Sequence, residues 1–397
     1  MKICDLTQFY SPVSGGVKRY VQEKVRYLNA HTDDSHLLII PGERDERTQE
    51  GRSTVCTIRS PLLSRTSRYR AILRLGAIER ILEAERPDVI ESGDPYQVAW
   101  KAVASGKALG IPVIGFYHSH FPEAYLRTVA RYFGSTATEF VMDAARNYVC
   151  SLYNRFYRTL VPSPALGRLL TDWGVNNVEP FDLGVDTEVF QPDSAGCEAT
   201  MSAATRTELG LPLDRTLLLY VGRLAPEKNT RTLFDAFERL HQSDPARYHL
   251  MVVGDGTQRR SVQALQAETS QVSWLASCVD PQQLARVYRC ADCFVHPGVQ
   301  ETFGLVTLEA QACGTPVVGI RGSYMDRIIF SDQRHWAREN TPISLAEAIA
   351  QACAGDLRAT GRAASEVVRL RYSWNLVFER LFGIYREAIA TYKTSDV

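Results

Sequence analysis

The stretch CFVHPGVQETFGLVTLE, residues 293–309, contains a short apolar strand, a loop with Gly298 and Gly304, and the beginning of an apolar helix. A strand that runs through a glycine-containing loop directly into a helix is typical of βαβ units. In such units the strands are parallel and the connecting helices cover the sheet. The stretch therefore predicts a parallel sheet with a loop at its carboxyl edge.

The same alternation extends outward from this stretch over nearly the whole chain, which predicts the α/β fold class. In the second half, the predicted strands are 216–221, 249–253, 272–275, 293–296 and 316–320. In the first half, they are 2–7, 36–40, 88–91, 112–117 and 159–162. A helix over about 17–29 follows the first strand.

The polar composition of 184–214, with Pro192, Gly196 and an Ala/Thr/Ser run, predicts a connector between two domains of similar size. The predicted domains are 1–183 and 215–372. Ser373 is a candidate N-cap for a last helix within 373–397, which is expected to cross back to the first domain.

The composition excludes several classes of protein. With 45% hydrophobic and 23% charged residues, the chain is neither disordered nor collagenous. Its 45 basic and 45 acidic residues give zero net charge, so no overall field attracts nucleic acid. No apolar run reaches the roughly 18 residues that a membrane span needs. Nine cysteines, with the C-x-x-C of Cys290 and Cys293 lacking a second pair, fit buried packing in a reducing cytoplasm.

Two cations follow the first predicted strand of the second domain. Arg223 and Lys228 lie in the loop after 216–221, at the carboxyl edge where open parallel sheets bind ligands. A guanidinium fork and an ammonium together suit a diphosphate. Solvated surface charges are the alternative interpretation.

Glu301 and Glu309 stand eight positions apart on either side of a predicted helix start. The free amides of that helix N-terminus attract an anion, and the two carboxylates suit hydroxyl groups. Acidic residues that merely face solvent remain the alternative. Gly15 and Gly16, between the first strand and the first helix, mark another close approach for a ligand or a plain tight turn.

These motifs together resemble glycosyltransferase family 4. The resemblance rests on Glu301 to Glu309 with Phe303-Gly304 between them, on 314–318 (GTPVV), on 221–223 with Glu227-Lys228, on Gly15-Gly16, and on 183–190 (LGVDTEVF). Within the family, 117–122, the segment from Arg127 to Arg158 and 161–163 are similar to the branch of sulfolipid synthase and GDP-mannose-dependent lipid mannosyltransferases.

The resemblance implies the GT-B architecture, in which two Rossmann-like domains face each other across a cleft, and retaining transfer of a hexosyl group from a UDP- or GDP-linked sugar. It implies that Arg223 and Lys228 bind the diphosphate and that Phe303, Gly304 and Leu305 lie at the donor. It assigns the ribose to Glu309, the donor sugar to Glu301, a sugar-pocket role to His118, and donor contacts to Gly15 and Gly16. Because two fixed cations can replace a metal on the phosphates, we predict no metal and no cofactor.

A basic segment in the first domain suggests a membrane partner. Between Gly51 and Ile78 the chain has no acidic residue and six arginines: Arg52, Arg59, Arg65, Arg68, Arg70 and Arg74. Ala71, Ile72, Leu75, Ile78 and Leu82 give its second half an apolar helical face, which predicts either docking on anionic lipid or packing on the domain's own sheet. With a lipid acceptor, the cytoplasmic protein is expected to be peripheral on the inner face of the membrane.

Three alternatives remain beside a lipid-directed transferase: a transferase with a soluble acceptor, a GT-B nucleotide-sugar epimerase, and a non-catalytic sugar-nucleotide binder. Product analysis separates the epimerase from the transferases. A binder would tolerate the loss of Glu301 or Lys228, and both are present. A dinucleotide oxidoreductase needs the G-x-G-x-x-G fingerprint, which is missing at Gly15-Gly16 and at Gly254-Asp255-Gly256.

Overall fold

The computed structural model describes residues 1–395 except 11–14, 64–67, 119, 121, 123–133, 195 and 324. Contacts divide the chain into two compact units. The first consists of Met1–Leu183 together with Trp374–Val397, and the second is Gly184–Ser373.

The first unit contains an eight-stranded sheet in the order β3-β4-β2-β1-β5-β6-β7-β8. Its strands are β1 (Lys2–Leu6), β2 (Ser35–Gly42), β3 (Glu46–Glu50), β4 (Ser53–Arg59), β5 (Val89–Ser92), β6 (Val113–Phe116), β7 (Arg158–Val161) and β8 (Val178–Pro180). All neighbours are parallel except β3 and β4. The chain order reverses beside β1, which pairs with β2 on one side and with β5 on the other.

The helices described in this unit are α1 (Gly16–His31), α2 (Leu75–Glu85), α3 (Gln97–Leu109), α4 (Ser135–Tyr153), α5 (Pro164–Trp173) and the C-terminal helix α13 (Trp374–Ser395). α13 packs on α1 through aromatic rings, with Tyr20 and Tyr27 both within 5.8 Å of Phe378 between ring centroids. The C-terminal helix therefore belongs to the core of the first unit.

A buried charge cluster fastens the same two helices to the sheet. Lys24 of α1 is completely buried, with Nζ 2.7 Å from Asp5 Oδ1 and 3.1 Å from Glu91 Oε1. It also donates to the hydroxyl oxygen of Tyr385 on α13 at 2.9 Å. His36 contacts the second oxygen of Asp5 at 2.8 Å. Because a buried charge is costly unless it is paired, the cluster fixes the mutual positions of α1, α13 and the central strands.

The second unit contains a parallel five-stranded sheet in the order β11-β10-β9-β12-β13. Its strands are β9 (Thr216–Val221), β10 (Tyr248–Val253), β11 (Val272–Leu275), β12 (Cys293–Val295) and β13 (Val317–Val318). Its helices are α6 (Glu198–Glu208), α7 (Thr230–Ser243), α8 (Arg259–Glu268), α9 (Pro281–Cys290), α10 (Leu305–Ala312), α11 (Pro342–Ala352) and α12 (Leu357–Arg371). The chain order reverses between β9 and β12, which are hydrogen-bonded neighbours.

Beside the unpredicted strand β8, three regions differ from the sequence-based expectations. The segment expected to be only a connector contains α6, whose Arg206 donates to the carbonyl oxygen of Cys290 at 2.9 Å. The antiparallel edge strand β3 has only exposed residues, so no apolar alternation marks it. The third region is the basic segment between Gly51 and Ile78. Its first part forms the strand β4, which ends at Arg59, and the helix α2, expected to include Ala71 and Ile72, begins only at Leu75.

Candidate active site

Two loops meet at the carboxyl edge of the second sheet, where its strand order reverses. One follows β9 and begins at Gly222, and the other follows β12 and begins at His296. Because β9 and β12 are neighbours in a parallel sheet, the loops leave it side by side, with no strand between them. Ligands of open α/β sheets bind in the crevice at such a point.

An ion pair joins the two loops. Lys228 Nζ lies 2.5 Å from Glu301 Oε1, and Asn229 donates through Nδ2 to the carbonyl oxygen of Pro297 at 2.8 Å. The other carboxylate oxygen of Glu301 lies 3.3 Å from Nε2 of the buried His296. Burial alone would raise the pKa of Glu301, but the charge of Lys228 and the contact with His296 hold that pKa well below its ordinary value. Glu301 is therefore a carboxylate at neutral pH.

Arg223 lies in the same loop as Lys228. Its guanidinium pairs with Glu227 at 2.6 Å, and the side chain is 54% exposed. The buried Tyr220 positions the backbone of Arg223, because its hydroxyl donates to the Arg223 carbonyl oxygen at 3.1 Å. The loop thus presents one partly buried and one exposed cation.

The loops after β9 and β10 approach each other closely at this edge of the sheet. A Cβ added to Gly254, in the loop after β10, would lie 1.9 Å from the carbonyl oxygen of Gly222. Both residues have positive φ, of 135° and 157°. Only glycine combines that conformation with so little space, so Gly254 has a structural role here.

The helix α10 begins immediately after Gly304, which has φ 78° and whose carbonyl oxygen accepts from the Thr307 amide at 2.9 Å. Phe303 is buried under the Arg327 guanidinium, and Leu305 is the first residue of the helix. The first-turn amides of a helix have no partner within it and attract anions. Phe303, Gly304 and Leu305 thus form a helix start in the loop that also carries Glu301.

Glu309 lies inside α10 and is only 2% exposed. The buried Tyr288 of α9 donates its hydroxyl to Glu309 Oε2 at 3.0 Å. The solvent-facing alternative for Glu309 is therefore wrong, because its carboxyl group is buried and accepts a hydrogen bond from Tyr288.

The remaining predicted residues belong to the first unit. His118 follows β6, and its ring stacks on Phe116 at 4.0 Å between centroids and packs edge-on against Tyr20 at 5.4 Å. Desolvation, with a further contribution from the charge of Lys24, lowers the pKa of His118 well below its ordinary value, so the imidazole is neutral at pH 7. Gly15 directly precedes α1, and Gly16 is its first residue.

Comparisons with known proteins show which family the chain belongs to. The model described as Glycosyltransferase Family 4 matches residues 14–189, and the one described as Glycosyl transferases group 1 matches residues 202–365. A D-inositol 3-phosphate glycosyltransferase of Saccharomonospora viridis is 31% identical over 75% of this chain and 69% of its own. This chain belongs to glycosyltransferase family 4.

Two further relatives fall in the branch that the sequence indicated. The family 4 chain is 28% identical to the GDP-mannose-dependent alpha-(1-6)-phosphatidylinositol dimannoside mannosyltransferase of Mycobacterium tuberculosis, over 88% of this chain and 87% of that protein. It is 30% identical to the sulfoquinovosyl transferase SQD2 of Arabidopsis thaliana, over 62% of this chain and 45% of that protein. The predicted resemblance is confirmed.

Solved structures establish the fold of this family 4 glycosyltransferase. Sucrose-phosphate synthase from Thermosynechococcus elongatus matches with a TM-score of 0.76 and 20% identity, over 98% of this chain and 99% of that one. Anabaena HepE, in complex with UDP-glucose, matches with a TM-score of 0.72 and 16% identity, over 98% of this chain and 100% of that one. The α/β, GT-B fold class is confirmed.

The basic segment of this glycosyltransferase differs from its expected form. Ala71, Ile72, Ile78 and Leu82 are buried in the core of the first unit and Leu75 is half-buried, so of the two alternatives these residues follow packing on the domain's own sheet. Tertiary packing, and not helical spacing alone, decides whether these apolar side chains face the core or the solvent. The exposed apolar residues of this segment are Leu62, Leu63 and Leu73.

Acidic residues outside the segment neutralise part of its charge. Arg52 pairs with Asp33, Arg70 with Glu43 at 2.7 Å, and Arg74 with Asp45 at 2.5 Å. The Arg59 backbone amide also donates to Asp45, Arg68 is exposed, and Arg65 lies outside the described residues. None of the helices that the structure describes is both long and apolar enough to cross a bilayer.

Sequence reasoning missed three residues. His296 contacts Glu301, and Tyr288 contacts Glu309. Asn229 links the two loops through the carbonyl oxygen of Pro297. His296 lies within the quoted stretch 293–309, and Asn229 directly follows Lys228. The available signal was a polar side chain at the end of a strand for His296 and at the end of a loop for Asn229. Tyr288 had none, because its contact with Glu309 depends on how α9 packs beside α10.

Proposed function

We propose that this protein is a retaining hexosyltransferase that takes its sugar from a nucleoside diphosphate hexose. The observation that carries the proposal is the cluster of Lys228, Glu301 and His296 at the sheet reversal, beside the start of α10. The hard part of such a transfer is the departure of the diphosphate, and fixed cations and helix amides stabilise the negative charge that develops on it.

The proposal gives each predicted residue a role. In the second unit, Lys228 and Arg223 bind the diphosphate, and the α10 start at Phe303, Gly304 and Leu305 supplies amides. Glu301 accepts hydrogen bonds from the transferred sugar, and Glu309 does so from the ribose. In the first unit, Gly15, Gly16 and His118 contact the donor. Because His118 is neutral at pH 7, it binds sugar hydroxyls without adding a charge.

GDP-mannose is the first donor to test, because the Mycobacterium relative is named as GDP-mannose-dependent, and UDP-hexoses are the alternatives. A thermal-shift screen of GDP-mannose, UDP-glucose and ADP-glucose identifies the donor. At a concentration one hundred times its dissociation constant, the correct donor adds roughly 2.7 kcal/mol to the unfolding free energy. No stabilisation by any nucleotide sugar or nucleoside diphosphate contradicts the proposal.

For the acceptor, we propose a lipid-linked hydroxyl compound reached at the membrane surface. The names of the Mycobacterium and Arabidopsis relatives support a lipid or glycolipid. Leu63 and Leu73, 69% and 67% exposed, lie in the segment that also carries the exposed Arg68. Apolar side chains beside basic ones favour an anionic bilayer. The protein would then be cytoplasmic and peripheral on the membrane.

The alternatives are separated by their products. An epimerase with the same fold isomerises the nucleotide sugar and needs no acceptor. A transferase with a soluble acceptor gives a water-soluble glycoside and does not float with anionic liposomes. Retention is tested by the anomeric configuration of the product, which must equal that of the donor.

A further inference from the structure

The first sheet has a reversal point of its own, and one acidic residue lies at it. β1 pairs with β2 on one side and with β5 on the other, so the loops after β1 and β5 leave neighbouring strands at the carboxyl edge. Asp94 stands two positions after the end of β5, and Gln8 two positions after the end of β1. By the same rule that applies to the second sheet, a ligand is expected here.

Only one of the two carboxyl oxygens of Asp94 has a hydrogen-bond partner among the described residues. Its side chain is 1% exposed, and Oδ2 accepts the backbone amide of Gln8 at 2.7 Å. Oδ1 is buried and has no hydrogen-bond partner in the part of the chain that the structure describes, and the same holds for Oγ of Ser92. Because an unsatisfied buried polar atom is costly and rare, a bound group that donates to Oδ1 is the expected complement.

The electrostatic surroundings of Asp94 contrast with those of Glu91 on the same strand. Glu91 is neutralised by Lys24 and accepts hydroxyl donors from Tyr20 and Tyr385. Around Asp94, burial is the largest effect and raises its pKa to about 7, whereas the Gln8 amide, the Thr7 hydroxyl and the Phe9 amide lower it. No cation among the described residues contributes. On α4, the titratable group that the charge of Asp94 affects is the phenol of Tyr153, whose pKa it raises.

The loop of Asp94 packs against His118 and carries Tyr96, one of two aromatic rings that contact Phe9. A Cβ on the preceding Gly93 would lie 3.2 Å from Cδ2 of His118, so the loop packs directly against that imidazole. The partly exposed rings of Tyr69 and Tyr96 stand edge-on to Phe9 at 5.8 and 5.7 Å between centroids. Aromatic walls with a few directed polar groups are typical of small-molecule sites.

We propose that Asp94 binds a hydroxyl group of the acceptor through Oδ1. The ligand class is a polyol or sugar hydroxyl, whether it belongs to a lipid headgroup or to a free sugar. A neutral hydroxyl is preferred to a cation or an anion, because it donates one hydrogen bond to the carboxylate and needs no counter-charge. This inference rests on the proposed transferase function and assigns its acceptor side.

The proposal makes acceptor binding depend on pH. The ionised carboxylate is the better hydrogen-bond acceptor, so the acceptor KM should rise as the pH falls through about 7. The affinity for the nucleoside diphosphate alone should not follow this change, because its proposed ligands Arg223 and Lys228 belong to the second unit.

The test compares Asp94→Asn with Asp88→Asn. Asp88 stands at the other end of β5 and accepts the Lys2 amide at 2.7 Å, as Asp94 accepts that of Gln8. Initial rates with GDP-mannose would be measured for octyl α-mannoside, myo-inositol 3-phosphate and a short-chain phosphatidylinositol, from pH 5.5 to 8.5. Calorimetry with GDP would report the donor site separately.

In Asp94→Asn, an amide that keeps its oxygen towards Gln8 places an NH₂ group where Oδ1 stood. We expect the acceptor KM to rise roughly tenfold or more, as the loss of a hydrogen bond to a charged group predicts. The pH dependence near 7 should disappear, and the GDP affinity should be unchanged. Asp88→Asn should keep the wild-type acceptor KM and its pH dependence.

A second measurement does not depend on turnover. The folded-state pKa of Asp94 lies above its unfolded value, so its contribution to stability is present at low pH and is lost as the pH rises towards about 7. The unfolding free energy of Asp94→Asn, compared with that of the wild type, should therefore be higher at pH 8 than at pH 5. The inference is overturned if wild-type transfer shows no pH dependence near 7, or if Asp94→Asn keeps the wild-type acceptor KM. A wild-type protein that binds no nucleoside diphosphate contradicts the proposed function itself.

Discussion

Lys228 and Glu301 form an ion pair of 2.5 Å between residues 73 positions apart in the chain. The pair joins the loops that follow β9 and β12, at the reversal of the second sheet. A diphosphate that binds Lys228 competes with Glu301 for the ammonium, and His296 still holds the other carboxylate oxygen. The pair therefore couples Lys228, which is proposed to bind the diphosphate, to Glu301, which is proposed to bind the sugar.

Replacing Lys228 by Met should lower turnover more than it lowers stability. A fixed charge that stabilises the departing diphosphate contributes roughly 10²–10³ in kcat. The control is Arg231→Met, which removes an exposed cation of α7 that lies 3.9 Å from Asp235. Steady-state rates and thermal unfolding would be measured for both, and near-normal turnover in Lys228→Met removes this lysine from the mechanism.

Replacing Glu309 by Gln should weaken binding of the nucleoside diphosphate. A hydrogen bond to a charged group contributes roughly 1.5–3 kcal/mol, which corresponds to at least a tenfold change in affinity. Tyr288→Phe removes one hydrogen bond that positions the Glu309 carboxyl group and should give a smaller effect in the same direction. Tyr248→Phe, at the amino end of β10, is the control. Calorimetry with GDP and UDP decides, and unchanged affinity in Glu309→Gln contradicts the ribose role.

Replacing Lys24 by Met should destabilise the first unit strongly. The change leaves Asp5 and Glu91 buried without their shared cation, and breaking a buried pair costs about 3–5 kcal/mol. Lys101→Met breaks the less buried pair with Glu79 and should cost about 1 kcal/mol or less. Denaturant unfolding measures both free energies. Equal losses would mean that the buried cluster does not fasten α1 and α13 as described.

The α/β class could be predicted from the sequence because parallel strands covered on both faces are continuous apolar runs, as in β9 and β10. The order of the strands could not, because it depends on pairings such as that of β1 with β5, which local patterns do not encode. β3 and α6 escaped prediction for a related reason: a polar edge strand and an Ala/Thr/Ser-rich helix have no strong apolar period.

For the candidate site, the loops could be located because strand ends and glycines mark them, as for Lys228 and Glu301. The pairing of these two residues could not be predicted, since it depends on β9 lying beside β12. The apolar spacing of 71–82 could not decide between lipid docking and internal packing, because only the tertiary structure shows that Ile72 and Ile78 pack into the unit's own core. Asp94 carried no motif at all, and its half-satisfied carboxyl is visible only in three dimensions.

Replacing Leu63 and Leu73 by Ser should weaken binding to anionic vesicles. The control is Leu213→Ser with Leu370→Ser, two leucines of the second unit that are 61% and 69% exposed. Binding should also fall with salt, because the screening length shrinks from about 10 Å at 0.1 M to about 3 Å at 1 M. Flotation with phosphatidylglycerol vesicles measures it, and an equal loss in the control pair contradicts a membrane surface at this segment.

Activity should survive chelation. Arg223 and Lys228 are proposed to neutralise the diphosphate, so EDTA should leave the rate within about twofold of its untreated value. Transfer assays with and without EDTA, then with added Mg²⁺ or Mn²⁺, provide the measurement. Complete loss that magnesium restores would show that the two side chains are not sufficient.

We propose that the site at the reversal of the second sheet transfers a sugar from a nucleotide with retention. The most direct test is an NMR time course of the wild-type protein with the donor found by thermal shift and a hydroxyl acceptor. We expect equal amounts of nucleoside diphosphate and of a glycoside with the donor's own anomeric configuration, and a rate of formation of both that is roughly 10²–10³ times lower in Lys228→Met. A glycoside of inverted configuration, or an isomerised nucleotide sugar with no diphosphate released, would contradict this proposal.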